Sequence, residues 1–171
     1  MKFDYKTSQI YSDIYFRAMD SGRGELVNQC YNYFSSKGVK CDFYIQTDSN
    51  KYISQPGMVF GEVRVDYETM LQEELNANVL LEVVIPGIGS GTTLRYKEAV
   101  MYGKKLLTNN PHVHLLELYN PEYVRFFEKP EDIDINWIKE QKNIDFLYKD
   151  EFSTTAFCRK IVCFYNENRS E

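Results

Sequence analysis

The stretch Val79-Leu80-Leu81-Glu82-Val83-Val84-Ile85 decides the fold class, because it is apolar at every position except Glu82. A strand that is apolar on both faces is typical of a parallel sheet that helices cover on both sides. Shorter apolar runs at residues 14–16 and 41–45 predict two more strands, and apolar residues at helical spacing over 26–34 predict a helix between them. This alternation predicts an α/β fold: a Rossmann-like, doubly wound parallel sheet in three α/β/α layers.

The rest of the chain continues this alternation and ends in a helix. The pattern predicts strands at 58–60, 104–108 and 124–127, and helices at 67–75, 92–102, 111–119, 136–142 and 152–164. Asp66 is the predicted N-cap of the helix that follows it. The last helix carries a stripe of apolar side chains that has to be buried. We therefore expect residues 1–151 to form one domain and residues 152–171 a C-terminal helix that packs on it or on a partner.

The composition argues against several classes of protein. The 171 residues include 20 Lys and Arg against 25 Asp and Glu, a net charge of -5, which argues against a nucleic-acid-binding protein. No run approaches the roughly 18 apolar residues of a transmembrane helix, and the N-terminus has no signal-peptide pattern, so we expect a cytoplasmic protein. There the 4 cysteines are expected to be reduced, and their spacing favours buried side chains over a metal site.

Two glycine-containing loops each follow a predicted strand and precede a predicted helix. The first reads Asp20-Ser21-Gly22-Arg23-Gly24, and the second reads Pro86-Gly87-Ile88-Gly89-Ser90-Gly91-Thr92-Thr93-Leu94-Arg95. Free N–H groups at a helix N-terminus, together with the guanidinium of Arg23, suit an anionic ligand such as a diphosphate. Each loop alone is also explained as a tight turn or as a solvated arginine. Two such loops on one sheet edge favour a shared ligand.

Two glutamates add to this hypothesis. Glu98 follows Gly91 by about two helical turns, where a carboxylate can accept both hydroxyls of a ribose. The alternative is an ordinary glutamate on the helix surface. Glu82 interrupts an apolar strand, where an unpaired charge is costly. It therefore either pairs with a basic side chain or points into a site.

Several stretches carry a resemblance to a known family. They are residues 13–16, 22–26, 37–45, 66–68, 80–83, 91–99, 103–110 and 118–121. In order and spacing they resemble the carboxyl-terminal half of bacterial glycosyltransferase-like proteins of capsule and lipopolysaccharide biosynthesis. The segment Lys97-Glu98-Ala99-Val100-Met101-Tyr102-Gly103-Lys104 is also similar to the Glu-Ala…Gly-Lys segment of retaining GT-B glycosyltransferases.

The resemblance implies a domain that binds a nucleotide-sugar donor as substrate, without a metal cofactor. It implies that Glu98 holds the ribose and that Gly91 and Thr92 lie at the diphosphate, with Arg23 or Arg95 stabilising the charge of the leaving group. The donor-binding residues that we expect are Gly22, Arg23, Gly89, Ser90, Gly91, Thr92, Thr93, Arg95 and Glu98.

Two departures from the GT-B pattern leave the activity open. Residues 83–97 contain no Asp or Glu, so the second glutamate of many retaining enzymes is missing. GT-B enzymes also have two Rossmann-like halves, and this chain supplies one. A transferase would then need an acceptor-binding partner half or a homodimer. The alternative is a non-catalytic nucleotide-binding or interaction module on the same fold. A receiver-like signalling domain is not favoured, because Asp20 is not paired with a second acid.

Overall fold

The computed structural model describes residues 10–85 and 91–167 of the chain. In this part of the chain the helices and strands are β1 (Ser12–Met19), α1 (Gly24–Ser36), β2 (Cys41–Gln46), β3 (Met58–Gly61), α2 (Tyr67–Leu75), β4 (Ala77–Glu82), α3 (Leu94–Tyr102), β5 (Lys105–Thr108), β6 (Val124–Phe126), α4 (Ile135–Lys139) and α5 (Thr154–Glu167). The strands pair in parallel in the order β3-β2-β1-β4-β5-β6. The predicted Rossmann-like, doubly wound sheet is confirmed.

Helices cover both faces of this sheet. β4 lies inside the sheet, and every one of its residues is buried, as its apolar sequence predicts. On one face α1 and α4 pack on the sheet through Val27, Phe34 and Ile138. On the other face α3 and the segment before α5 pack through Tyr96 and Phe146. The strand order reverses between β1 and β4, and in open α/β sheets the crevice at such a switch point is where ligands bind.

The amino-terminal edge of the sheet is held to the helices by buried lysines. Lys105 is fully buried, and its Nζ donates hydrogen bonds to the carbonyl oxygens of Trp137 and Glu140, at the end of α4. The Lys104 ammonium donates to main-chain carbonyls at the junction of α2 and β4. Burial lowers the pKa of each lysine to about 8. These contacts close one edge of the sheet and leave the carboxyl edge for a site.

Local side-chain contacts define the ends of the helices near that carboxyl edge. Asp66 is the N-cap of α2, as predicted, and its Oδ1 accepts a hydrogen bond of 2.8 Å from the Thr69 amide. Thr93 caps α3 in the same way, which places the helix start two residues later than predicted. Gly103 ends α3 with φ +63, and a Cβ there would lie 2.8 Å from the Ile144 carbonyl oxygen. Glycine is therefore the residue that fits this turn.

The prediction of a helix over residues 111–119 is wrong. This segment forms a single 3-10 turn, Val113–Leu115. The Asn110 side chain accepts a hydrogen bond from the His112 amide, and Leu118 has φ +65, which no α-helix contains. Local side-chain bonding of this kind competes with helical bonding and favours turns.

The predicted C-terminal helix is present as α5, but most of its apolar stripe is not buried. Phe152, just before the helix, packs on the core beside Tyr96. In contrast, Phe157 is 63% exposed and Ile161 is 52% exposed. The packing thus comes from the residue before the helix, and within α5 Lys160 Nζ lies 2.6 Å from Glu117 Oε2 of the domain. Its packing on a partner stays a prediction.

Candidate functional site

A cavity of about 460 Å³ opens at the carboxyl edge of the sheet, at the switch point between β1 and β4. β1 and β4 supply its apolar floor, the start of α1 supplies Arg23, and the first two turns of α3 supply its polar wall. Leu81 and Phe16 are buried in the core beneath it. The cavity thus lies where the two predicted loops meet, and its walls combine apolar surface with a few polar groups, as ligand sites do.

The structure brings most of the predicted donor-binding residues together. Those that line the cavity are Arg23, Gly91, Thr92, Thr93, Arg95 and Glu98. Gly22 is exposed with φ +87 and lies beside the cavity, outside its lining. Gly89 and Ser90 lie outside the described residues. That these residues bind a donor stays a prediction.

Arg23 connects the two loops across the cavity. Its Nη1 donates a hydrogen bond of 3.1 Å to the carbonyl oxygen of Val83, just after β4. Its Nε is enclosed and has no hydrogen-bond acceptor among the described residues. Burial lowers the pKa of Arg23, and Asp20 opposes that shift, but an arginine stays charged at neutral pH. The guanidinium therefore has donors available for an anion in the cavity.

The N-terminus of α1 already has an anionic partner. Asp20 Oδ1 accepts a hydrogen bond of 2.8 Å from the Gly24 amide, in the first turn of the helix. A Cβ at Gly24 would lie 2.8 Å from the same oxygen, so the carboxylate fits closely over the helix end. A carboxylate at this position is stabilised by the helix dipole. The first loop therefore offers a ligand the side chain of Arg23, while Asp20 occupies the helix N-terminus.

The N-terminus of α3 is the second polar element of the cavity. Thr93 Oγ1 accepts a hydrogen bond of 3.1 Å from the Tyr96 amide and donates one to the Glu82 carboxylate. The amides of Leu94 and Arg95 belong to the first turn, where a helix offers no internal acceptor. Gly91 and Thr92 are exposed beside them. This helix end has the geometry that suits an anion.

Glu82 is held at the end of β4 by two hydroxyl groups. One carboxylate oxygen accepts from Thr93 and the other from Thr108 Oγ1, across to β5. The side chain is buried at the sheet and lines the cavity. Of the two alternatives for this residue, the structure supports the one in which Glu82 points into a site.

Glu98 is buried, so the alternative of an ordinary surface glutamate is wrong. The residue is 2% exposed, on the face of α3 that lines the cavity. Its Oε2 lies 4.0 Å from Arg95 Nε, and the Tyr67 hydroxyl forms a hydrogen bond with its carboxyl group. Burial and this hydrogen bond raise the pKa of Tyr67. The carboxylate is thus fixed at the inner wall of the cavity.

Arg95 is held by a partner that the sequence alone did not identify, Glu74 of α2. Arg95 Nη1 lies 2.7 Å from Glu74 Oε1, and its Nη2 donates a hydrogen bond of 2.8 Å to the Arg17 carbonyl oxygen. Glu74 occupies a position of α2 that its neighbours Leu71 and Leu75 mark as buried. A glutamate at an apolar position of a helical pattern is the signal that could have identified it.

The described side chains and helices were also compared with the requirements of a metal site and of a membrane span. Among residues 10–85 and 91–167, no group of three or more His, Cys, Asp or Glu could hold a metal ion. In the same part of the chain, the helices are too short or too polar to cross a bilayer.

The comparisons with known proteins give a likeness in fold. The sequence matches no protein family and no curated protein. Among solved structures, the chain is similar to the DNA-modifying enzyme β-glucosyltransferase, whose structure was determined with and without its substrate uridine diphosphoglucose. The identity is 14%, and the TM-score is 0.50 over 85% of this chain and 43% of that one. The chain thus shares a Rossmann-like α/β fold with this enzyme and spans less than half of its length.

Proposed function

We propose that this domain binds a nucleotide-sugar donor, as the donor half of a GT-B-type glycosyltransferase of bacterial capsule or lipopolysaccharide synthesis. The observation that carries the proposal is the cavity at the switch point, to which the loop before α1 contributes Arg23 and α3 contributes Glu98. The likeness in fold to β-glucosyltransferase supports it. So do the sequence stretches that resemble the carboxyl-terminal half of the glycosyltransferase-like proteins.

The proposed roles follow from the chemistry of each wall. The diphosphate would lie between the Arg23 guanidinium and the first amides of α3, because both are hydrogen-bond donors with positive charge or potential. The ribose would lie against Glu98, since a carboxylate accepts from both hydroxyls. In a transfer reaction, the charge that develops on the departing diphosphate would be stabilised by these fixed donors, which need no reorganisation.

Nucleoside diphosphate binding is the first test. We expect UDP, GDP, CDP or dTDP to bind weakly, and a ligand at 100 times its Kd to raise the free energy of unfolding by about 2.7 kcal/mol. Isothermal titration calorimetry and thermal unfolding with each nucleotide measure this. If millimolar concentrations of all of them give neither heat nor a shift in Tm, the donor hypothesis is wrong.

The substitution Glu98→Gln tests the ribose contact with little change in shape. Losing a charged hydrogen bond is expected to cost about 1.5–3 kcal/mol, or roughly tenfold to a hundredfold in Kd. Wild type should discriminate against a 2′,3′-dideoxy nucleotide, and the variant should not. Glu128→Gln, at an exposed glutamate after β6, is the control and should bind like wild type. Equal discrimination by wild type and Glu98→Gln would remove the ribose role from Glu98.

We further propose that the acceptor is bound with the help of a second polypeptide, either an acceptor-binding half or a second copy. A single donor crevice does not hold an acceptor at reaction distance or exclude water. Phe157 and Ile161 of α5, both more than half exposed, form an apolar surface for such a partner. We expect the isolated chain to bind donor without transferring sugar, and light scattering to show association. A strictly monomeric chain that transfers sugar unaided would contradict this.

A non-catalytic nucleotide-binding or interaction module is the second candidate function. The observation that favours it is that both carboxylates of the cavity are engaged, Glu82 with two threonines and Glu98 with Tyr67 and Arg95. Both oxygens of Glu82 are therefore occupied, and Glu98 is held in the wall with Oε1 as its one oxygen without a hydrogen bond from the described residues. Nucleotide binding that persists without any sugar transfer, even with candidate partners present, would favour this function.

A further inference from the structure

A cluster of five charged side chains lies between α2, α3 and β1, beneath the cavity. Its members, here called the charged cluster, are Arg17, Glu73, Glu74, Arg95 and Glu98. Arg17 Nη1 lies 2.8 Å from Glu73 Oε2, and Arg95 contacts Glu74 at 2.7 Å and Glu98 at 4.0 Å. Three carboxyl groups thus face two guanidinium groups. If all five side chains were ionised, the cluster would carry one negative charge in excess.

The excess falls on Glu74 and Glu98, because Glu73 is paired with Arg17 and partly exposed. Glu74 is 0% exposed and Glu98 is 2% exposed. Glu74 Oε1 contacts Arg95, whereas Glu74 Oε2 and Glu98 Oε1 are enclosed and accept no hydrogen bond from the described residues. Arg95 contacts both carboxyl groups, Glu74 Oε1 at 2.7 Å and Glu98 Oε2 at 4.0 Å, which places them side by side around one guanidinium group. Two ionised carboxylates in this arrangement would repel each other and leave buried oxygens unsatisfied, which is costly.

We propose that Glu74 and Glu98 hold one proton between them, and that Glu74 is thereby a positioning residue for Arg95 and Glu98 in the wall of the cavity. The shared proton turns one carboxyl group into a donor for the other and leaves one carboxylate to balance Arg95. The pair then fixes the Glu98 side chain at the place where the ribose would bind. This last step rests on the proposed donor function, and the shared proton itself does not.

Most groups around Glu74 raise its pKa, and the cation Arg95 opposes them. Burial raises the pKa of Glu74, Arg95 lowers it, and the neighbouring Glu98 and Glu73 raise it again. From β1, Tyr15 donates a hydrogen bond of 2.8 Å to Glu73, whose charge Arg17 balances. Other polar side chains in this region include Arg23, whose charge acts on Arg95, Tyr67 of α2 with the neighbouring Tyr102 of α3, and Lys104, which donates to the Leu75 carbonyl oxygen at the end of α2.

A proton held by the folded state gives a distinct dependence of stability on pH. The folded pKa of Glu74 lies above its unfolded value, so the contribution of this proton is fully present below the unfolded pKa and is lost as the pH rises through the folded pKa. For each pKa unit of difference, the folding equilibrium constant of wild type falls tenfold. In Glu74→Gln the amide replaces the proton as donor, so this loss is expected to be absent.

Urea unfolding from pH 5 to pH 9 measures the difference between wild type and Glu74→Gln. We expect wild type to lose stability relative to the variant as the pH rises, by tenfold or more in the equilibrium constant. Glu98→Gln should also abolish the loss, which keeps the test valid if one variant folds poorly. Glu68→Gln, at an exposed glutamate of α2, is the matched control and should follow wild type. A difference that is constant with pH, or that favours wild type at high pH, would overturn the proposal.

UDP binding at pH 7 and pH 9 separates this proposal from the donor function. Wild type should bind UDP more weakly at pH 9, by up to tenfold for each pH unit above the folded pKa of Glu74. The same measurement on Glu74→Gln controls for the titration of UDP itself. If the stability difference is found but UDP binds at neither pH, the shared proton stands and the donor function fails. If UDP binds and the stability difference is absent, the shared proton fails.

Discussion

Replacing Arg95 with methionine is expected to lower the free energy of unfolding by about 3–5 kcal/mol, because breaking a buried ion pair leaves its partner uncompensated. Arg95 is the cation that contacts both Glu74 and Glu98, and its side chain is 13% exposed. Methionine preserves most of the volume, so the loss would report the missing charge and the missing hydrogen bond to the Arg17 carbonyl oxygen. Urea unfolding at pH 7 measures it.

Arg125 provides the matched control for this substitution. It pairs with Asp134 at 3.4 Å, and both side chains are more than a third exposed. Such a pair is worth between about 0 and 1 kcal/mol, so Arg125→Met should be nearly neutral. If Arg95→Met were as mild as the control, Glu74 and Glu98 would not depend on Arg95, and the charged cluster would have no role in stabilising the wall of the cavity.

Phe43→Ala is expected to have a similarly large effect, from packing alone. Phe43 lies on β2 and is 1% exposed. Its ring packs edge to face on those of Phe16, Tyr31 and Phe34, with distances of 6.0, 6.2 and 6.5 Å between ring centroids. Truncating such a side chain removes buried apolar surface and leaves a cavity, which costs about 3–5 kcal/mol. The loss should be seen in urea unfolding and should not depend on pH.

Phe126→Ala is the control for packing, since Phe126 lies on the edge strand β6 and is 43% exposed. We expect it to cost well under half as much as Phe43→Ala. Similar losses for the two variants would mean that the core between β2 and α1 relaxes into the space left by the ring, contrary to the close packing seen here.

The fold was largely predictable because its signal lies in short stretches of sequence. The apolar run of β4 predicted its burial on both faces, and the capping Asp66 predicted a helix start that the structure contains. The segment 111–119 was not predictable from periodicity. There, one hydrogen bond that the His112 amide donates to the Asn110 side chain, together with the positive φ of Leu118, outweighs an apolar pattern at helical spacing.

The candidate site was predictable only in part, for a different physical reason. Gly91 and Glu98 belong to one loop and one helix, so their spacing along the chain indicated a common wall. The partner of Arg95 is Glu74 of another helix, α2, and the sequence around Glu74 does not indicate which cation it pairs with. Likewise, Asp20 lies within the predicted loop, but the sequence did not indicate that its carboxylate accepts a hydrogen bond from the Gly24 amide and so occupies the N-terminus of α1.

The buried lysines at the amino-terminal edge allow the separation of α4 from the sheet to be measured by chemical labelling. An acylating reagent reacts only with an amine that is both accessible and deprotonated, and Lys105 is fully enclosed against α4. Surface lysines such as Lys149 are open to the reagent in the native state. Modification of Lys105 must therefore wait until α4 leaves the sheet, so peptide mass spectrometry of a timed labelling reaction would give the frequency of that motion directly.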